Sequence, residues 1–557
     1  MTDAALPTLE KRYSKALCHL NNARRTDRLG LILGSGVSED LKIPKWRELV
    51  DSIDKELGYD SSGAPESHRA EQQFQHYKIG KTAELAGWNT NRVAAAVTSG
   101  WRDVVAGRLY ANFPGAIGSS TEAYDASLEA YKNSIQNHPY LMQLGKLARS
   151  ARLVVTHNFD DALEVAISLD SSSRRSHSFW RPEPFLLPEV VSIYHPNGYT
   201  PLRRAAKGSE SLILTEASFA DHLANTNTEE AHYLLRHLAD KTFLIVGHSL
   251  ADGTLKNALR QHANQHPGHV NYFVYFHKEG EAGLSETQRR AIRQANFETY
   301  NLITIFANSS DIAEILRLVA MEEKELEGHL LRQSVKSRYV YYFVGAVSSG
   351  KSTALRHLRN LLTVEEWPRD MPPVMNRQSV GLDAEQKNDI DVKLEDAIWQ
   401  KNTQIRDVIV GIVAVDRAPL DFIAFPTRRD ETIQVTAQER AAAVLDRLQK
   451  TEFRDLCEGQ VIVMQADPEL LVERQLQRSG RTKPDEVKSG ETKRYLAYQR
   501  DCLGRIYDKS IADHSVVESD HCIPGGAAKD AARIIHFEEY RPFDFVGRLR
   551  AIQNGEG

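Results

Sequence analysis

Three groups of residues have types and spacings suited to chemistry. The first is Gly345-Ala346-Val347-Ser348-Ser349-Gly350-Lys351-Ser352-Thr353, which reads glycine, four residues, glycine, lysine, then serine or threonine. Such a loop turns backbone N–H groups toward phosphate oxygens; Lys351 would neutralise the outer phosphates and the Ser352 hydroxyl would bind Mg²⁺. The second group is Gly34-Ser35-Gly36-Val37-Ser38, Thr156-His157-Asn158-Phe159-Asp160, His195 to Gly198, and Gly247-His248-Ser249-Leu250-Ala251-Asp252. Glycines at 34 and 36 allow a backbone to approach a pyrophosphate, although the third glycine of the dinucleotide fingerprint is missing and a plain strand-to-helix turn reads the same way. Asn158 can orient a water and His195 can take a proton near neutral pH; alternatively Asn158 or Asp160 caps a helix and His195 is structural. The third group is Asp416-Arg417 with Arg474, Arg478 and Arg481. Asp416 can join the Mg²⁺ shell and the arginines can close over phosphates, or they form a strand-end salt bridge and a solvated helix face.

These residues need strands to deliver them. Apolar, β-branched runs at 29–33, 153–155, 190–194, 242–246, 271–276 and 302–306 predict strands, most of them ending in the polar residues above. Strands alternating with helices predict a mostly parallel α/β domain, whose ligands bind at the carboxyl ends of the strands. Residues 8–28 read as a surface-exposed helix and residues 47–150 as mostly helical, with a loop near 112–120. Residues 320–335, rich in Glu, Lys and Arg, read as a connecting helix without a compact apolar face. A second sheet follows, with strands at 339–344, 407–416 and 460–465 and a helix at 354–362 after the glycine loop. The expected domains are 1–325, a linker at 326–337, and 338–557.

Composition narrows the function classes. The 557 residues are 41% apolar and 26% charged, as expected of a globular chain rather than a disordered one. A net charge of −5 gives no general attraction to nucleic acid or anionic lipid. No run approaches the ~20 apolar residues of a membrane span, and the first residues lack a signal-peptide pattern, so the cytoplasm is the expected site. Cys18, Cys457, Cys502 and Cys522 show no zinc-ribbon spacing, and reduced thiols are expected.

The order of the first-half motifs, from Gly34 through Asn158 and His195 to Gly247, resembles the sirtuins over about residues 28–310. It is most similar to the sirtuin-like domains of bacterial anti-phage defence proteins, which hydrolyse NAD⁺. The resemblance implies a Rossmann-like domain with a helical insertion. It implies that Gly34, Ser35, Gly36 and Ser38 hold the pyrophosphate and that Asn158 and Asp160 line the nicotinamide and ribose pocket. It further implies that His195 is the base, with Gly247, Ser249 and Asp252 on the cofactor-binding side. Two departures argue against deacetylation. The zinc-ribbon cysteines are absent, and Glu39 to Trp46 replaces the family's proline-aspartate-phenylalanine-arginine end. His157 stands where the family has a smaller residue.

Residues 338–510 resemble the deoxynucleoside and nucleoside-monophosphate kinases, through Gly345–Ser352, Asp416 to Asp421 and the segment from Asp467 to Arg481. Glu365-Glu366-Trp367 sits closer to the glycine loop than that group's catalytic glutamate. The resemblances together imply an NAD⁺ hydrolase releasing ADP-ribose and nicotinamide, gated by a nucleoside triphosphate or deoxynucleotide with Mg²⁺. They also imply a homo-oligomer, a phage-derived trigger, and no zinc, membrane or nucleic-acid partner. A bifunctional salvage enzyme and a non-hydrolytic NAD⁺ or ADP-ribose sensor are the competing readings.

Overall fold

The computed structural model describes residues 8–44, 48–49, 51–53, 102–113, 120–170, 175–203, 208, 212–213, 229–250, 253–278, 283–366, 384–424, 433–450, 456–478, 486–507, 515–520 and 525–555. Asp252, Arg481, Lys45–Trp46 and most of the 47–150 segment lie outside the described residues, as does the side chain of Arg478. The chain forms two compact units, Leu20–Gln265 with Asn271–Met321, and Met1–His19 with His266–Val270 and Glu322–Gly557.

The first unit is built on seven strands: β1 (Leu29–Leu33), β2 (Leu153–Thr156), β3 (Arg175–Phe179), β4 (Val190–Tyr194), β5 (Thr242–Val246), β6 (Asn271–Phe276) and β7 (Leu302–Ala307). They lie in the order β3-β4-β2-β1-β5-β6-β7, and all pairings are parallel. Helix α1 (Leu9–Arg25) begins in the second unit, which includes Met1–His19, and ends in the first; the other helices of the first unit are α2 (Thr121–Gln136), α3 (Leu141–Ala148), α4 (Ala162–Leu169), α5 (Glu229–Asp240), α6 (Gly253–Gln265), α7 (Glu286–Tyr300) and α8 (Ser309–Ala320). Ile32, Val155, Phe243 and Ile245 pack with Leu234, Leu238, Leu255 and Leu259 of α5 and α6. The alternate strand residues Leu31, Val154 and Leu244 are buried as well, so both faces are covered, as a parallel sheet requires. From β1 the chain steps first to β2 on one side and later to β5 on the other. That reversal opens the crevice where α/β sheets bind ligands.

The helix expected at 8–28 forms as α1, but it is not a surface helix: Leu17, Cys18, His19, Leu20 and Asn21 are all buried. Its Asn21 donates to the carbonyls of Val319 and Met321, at 3.0 and 2.8 Å, which satisfies the end of α8.

The second unit holds α9 (Glu323–Arg332), β8 (Arg338–Val344), α10 (Lys351–His357), β9 (Leu362–Val364), α11 (Ala384–Arg406), β10 (Gly411–Asp416) and α12 (Ile433–Lys450). It continues with β11 (Gln460–Gln465), α13 (Pro468–Arg478), α14 (Glu486–Ile506), β12 (Val516–Glu518), α15 (Gly526–Phe537) and α16 (Phe545–Gln553). Its sheet is also parallel, in the order β12-β11-β8-β10-β9, with β8 at the centre. Two expectations are corrected here. The helix after the glycine loop ends at His357 rather than 362, because Leu358 leaves the helical region and Asn360 is tied down. Asn360 donates to the Val270 carbonyl at 2.7 Å, and its own carbonyl meets His19 at 2.8 Å. The segment 320–335 does bury an apolar face, through Leu326 and Leu330. Among the described residues, no helix is long and apolar enough to cross a membrane.

Candidate functional site

In the first unit, the loop after β1 and the loop after β5 interlock. The Gly34 N–H donates to the Val246 carbonyl at 3.0 Å, and the Gly36 N–H to the Gly247 carbonyl at 2.9 Å. A Cβ on Gly34 would sit 2.5 Å from the Gly247 oxygen, and one on Gly36 at 2.9 Å. Gly247 has φ +68°, and a Cβ there would lie 2.6 Å from Val37. Glycine at 34, 36 and 247 therefore has a reason independent of any ligand: backbone must touch backbone. The Ser35–Val37 turn leaves Ser35 exposed and directs Ser38 inward, where it is 2% exposed. Ser249 is exposed at the tip of the neighbouring loop. The His157 ring stands edge-on to His248, with centroids 5.1 Å apart, across the ends of β2 and β5.

Asn158 follows β2 and is held from three directions. Its N–H meets Thr156 Oγ1 at 3.2 Å, its carbonyl accepts from His195 Nδ1 at 3.0 Å, and its Nδ2 donates to Ser38 Oγ at 3.1 Å. Ser38 in turn hydrogen-bonds the Asp160 carboxylate. A hydroxyl giving its proton to a carboxylate must accept from the amide, which fixes Nδ2 toward Ser38. Asn158 Oδ1 is then the free end: it is buried and has no partner among the described residues. Asp160 Oδ1 accepts from the Ala162 N–H at 3.0 Å, so Asp160 also serves the start of α4. Burial, reinforced by Asp161 and Glu164, pushes the Asp160 carboxyl up to about 6 against its hydrogen bonds.

His195 follows β4 and is fully buried. Its N–H bonds the Phe179 carbonyl at 2.8 Å, and its ring lies 4.3 Å from that of Tyr199. Its second ring nitrogen, Nε2, lies 2.8 Å from Glu164 Oε1. Both nitrogens thus face acceptors. Glu164, on α4, was not singled out by its spacing, nor was Ser178 of β3, whose hydroxyl donates to the same oxygen at 2.6 Å. Beneath them, Asp161 accepts from Arg203 Nε at 2.9 Å and from Tyr110 at 3.3 Å. Burial raises the Asp161 carboxyl even against Arg203. The sequence does carry a signal for Glu164: it is the one acid in the apolar helix Ala162–Leu169, and a buried acid needs a partner.

The second unit gathers its own group. In the loop after β8, Ser348 (φ +66°) and Gly350 (φ +94°) take left-handed backbone. Lys351 Nζ donates to the Gly345 and Ala346 carbonyls, at 2.8 and 2.9 Å. Burial, with Arg417 alongside, pushes its ammonium down. Ser352 Oγ donates to Asp416 Oδ2 at 3.2 Å, while Asp416 Oδ1 is buried without a partner among the described residues. Thr353 is half-buried in the first turn of α10. Ser348 donates to Gln475 at 2.7 Å and Ser349 is 1% exposed. Arg417 pairs with Glu366, directly after β9, and lies 3.6 Å from Asp421. Its guanidinium is therefore committed to two carboxylates. Arg474 reaches the Ser519 carbonyl at 2.7 Å, and Ser519 Oγ donates to the Ser349 carbonyl at 3.0 Å. Arg474 thus braces the loop from behind through Ser519. Gln475, Ser519 and Gln499, whose Oε1 accepts from the Val347 N–H at 3.2 Å, give no sequence signal, because single polar residues carry no period.

No curated protein matches the chain. Residues 152–305 match the family model of the SIR2-like domain, a family that uses NAD⁺. The match starts at β2, takes in Asn158, Asp160, Glu164, His195 and Gly247, and ends within β7. The loop at 34–38 lies outside the matched range but on the strand that pairs with both β2 and β5. Residues 152–305 are thus similar to the SIR2-like domain, and the strand ends around Asn158 lie within the matched range.

Proposed function

We propose that the first unit hydrolyses NAD⁺ to ADP-ribose and nicotinamide. The observation that carries the reading is Asn158 Oδ1, a buried acceptor with no partner among the described residues, at the strand ends of a sheet that matches the SIR2-like domain. The C1′–N bond breaks and its electron pair leaves with nicotinamide. Water adds to the oxocarbenium-like carbon and gives up one proton. Asn158 Oδ1 orients that water, and Asp160, with its carboxyl near 6, takes the proton. His195 can serve as a base only after its ring has lost a proton, since both ring nitrogens face acceptors. Gly34, Ser35, Gly36 and Gly247 supply the backbone along which the pyrophosphate lies. Purified protein incubated with NAD⁺ and followed for nicotinamide release tests this. Release that Asn158→Ala abolishes supports it; release unchanged in that variant refutes it, and binding without release favours a sensor.

We further propose that the loop Gly345–Ser352 binds the phosphates of a nucleotide, with Mg²⁺ held by Ser352 and Asp416, and that this sets when NAD⁺ is cleaved. Asp416 Oδ1, buried without a partner among the described residues and beside Ser352, supports a cation there. Control requires that the nucleotide bind the active and idle forms with different affinity. Commanded NAD⁺ loss suits defence against phage, and ATP-dependent phosphorylation of a nucleoside instead would mark a salvage enzyme. Nicotinamide release measured across nucleoside mono- and triphosphates, in wild type and Lys351→Ala, separates these outcomes.

A further inference from the structure

We infer that Glu164 is a positioning residue for the cleavage site, holding the His195 ring with a proton on each nitrogen so that the ring fixes the main chain of Asn158. This rests on the NAD⁺-cleavage reading. His195 Nδ1 faces the Asn158 carbonyl oxygen at 3.0 Å, and a carbonyl only accepts, so Nδ1 carries a proton. Nε2 faces Glu164 Oε1 at 2.8 Å. Burial opposes the Glu164 charge, but His195 and the Ser178 hydroxyl outweigh it and hold the carboxyl below its ordinary value. An ionised carboxylate likewise only accepts, so Nε2 carries a proton as well.

The ring is thus a strut. One end is anchored by charge in α4, and the other bonds the carbonyl of Asn158, whose Oδ1 is a buried acceptor with no partner among the described residues. Glu164 is 1% exposed and His195 0% exposed, so water cannot replace either contact. Ser178 donates to the same Glu164 oxygen at 2.6 Å and sets the direction of the carboxylate from β3. Losing the charge frees a ring nitrogen and lets the Asn158 carbonyl shift. A displacement of this kind at a positioning group lowers turnover more than it weakens binding.

The test is Glu164→Gln, which keeps the size and hydrogen-bonding capacity but not the charge, with Ser178→Ala as a milder second variant. Two readouts are taken on the full chain. Steady-state NAD⁺ cleavage should show kcat lowered about tenfold or more, with KM within about twofold of wild type. Nitrogen-15 histidine spectra, with the His195 signals identified by His195→Ala, should show two ring N–H signals in wild type and loss of the Nε2 signal in Glu164→Gln. Ser178→Ala should keep both signals and lower kcat less. Glu164→Gln with both signals and wild-type kcat overturns the assignment, as does a wild type with one ring N–H. A wild type that releases no nicotinamide refutes the reaction instead, while the spectra still decide whether Glu164 sets the ring.

Discussion

Asp160→Asn should make the protein more stable and less active at once. Asp160 is 6% exposed, and its carboxyl is moved from 3.8 to about 6, first by burial and then by Asp161 and Glu164. A raised carboxyl favours the folded state only while protonated. That contribution is complete below 3.8 and is lost as pH rises through about 6. At ~1.4 kcal/mol per pH unit, the ionised form costs the folded state about 3 kcal/mol above pH 7. Asparagine keeps an oxygen for the Ala162 N–H but carries no charge. The variant should therefore melt higher than wild type at pH 8, by roughly 5 °C, with the gain gone below pH 4. Nicotinamide release should fall in the same variant, since the proton acceptor is lost. Thermal melts at both pH values are the assay. A variant no more stable than wild type at pH 8 would refute the reasoning, because the buried charge would then cost nothing.

Other perturbations separate the parts of the site. Asn158→Ala should lower NAD⁺ cleavage by about 100-fold or more, while the lost bond to Ser38 costs only about 1 kcal/mol in a melt. Gly247→Ala forces a side chain into φ +68° and to 2.6 Å from Val37, so it should cost about 2 kcal/mol or more; an unchanged melt would contradict the interlocked loops. Lys351→Met should leave nucleotide-free stability unchanged or higher, since burial disfavours the ammonium, yet abolish the thermal shift given by Mg²⁺-ATP.

Much of this scaffold is legible in the sequence, for a simple reason. Strands buried on both faces are continuous apolar runs, and Leu29–Leu33, Thr242–Val246 and Tyr339–Val344 could be little else. The strands that escaped are short or on an edge. β3 reads Arg-Ser-His-Ser-Phe, an edge strand whose only fully buried residue is Phe179. β9 and β12 have three residues each, too few for a period. At the site, Asn158, Asp160 and His195 stood out because each follows a strand. Glu164 and Ser178 did not, because their role exists only when α4 and β3 meet at one ring nitrogen. The paired glycines at 34 and 36 were visible, but not the second loop that requires them. Arg417 could meet a phosphate or form a strand-end salt bridge; it forms the latter, with Glu366 and Asp421, partners that come together only after folding.

The most direct measurement is nicotinamide release from NAD⁺ by wild type and Asn158→Ala, across a panel of nucleoside mono- and triphosphates. The expected result is release by wild type that at least one nucleotide changes, and none by Asn158→Ala. Intact NAD⁺ under every nucleotide, or equal release by both proteins, would contradict the proposal that Asn158 presents the reactive face of an NAD⁺-cleaving site.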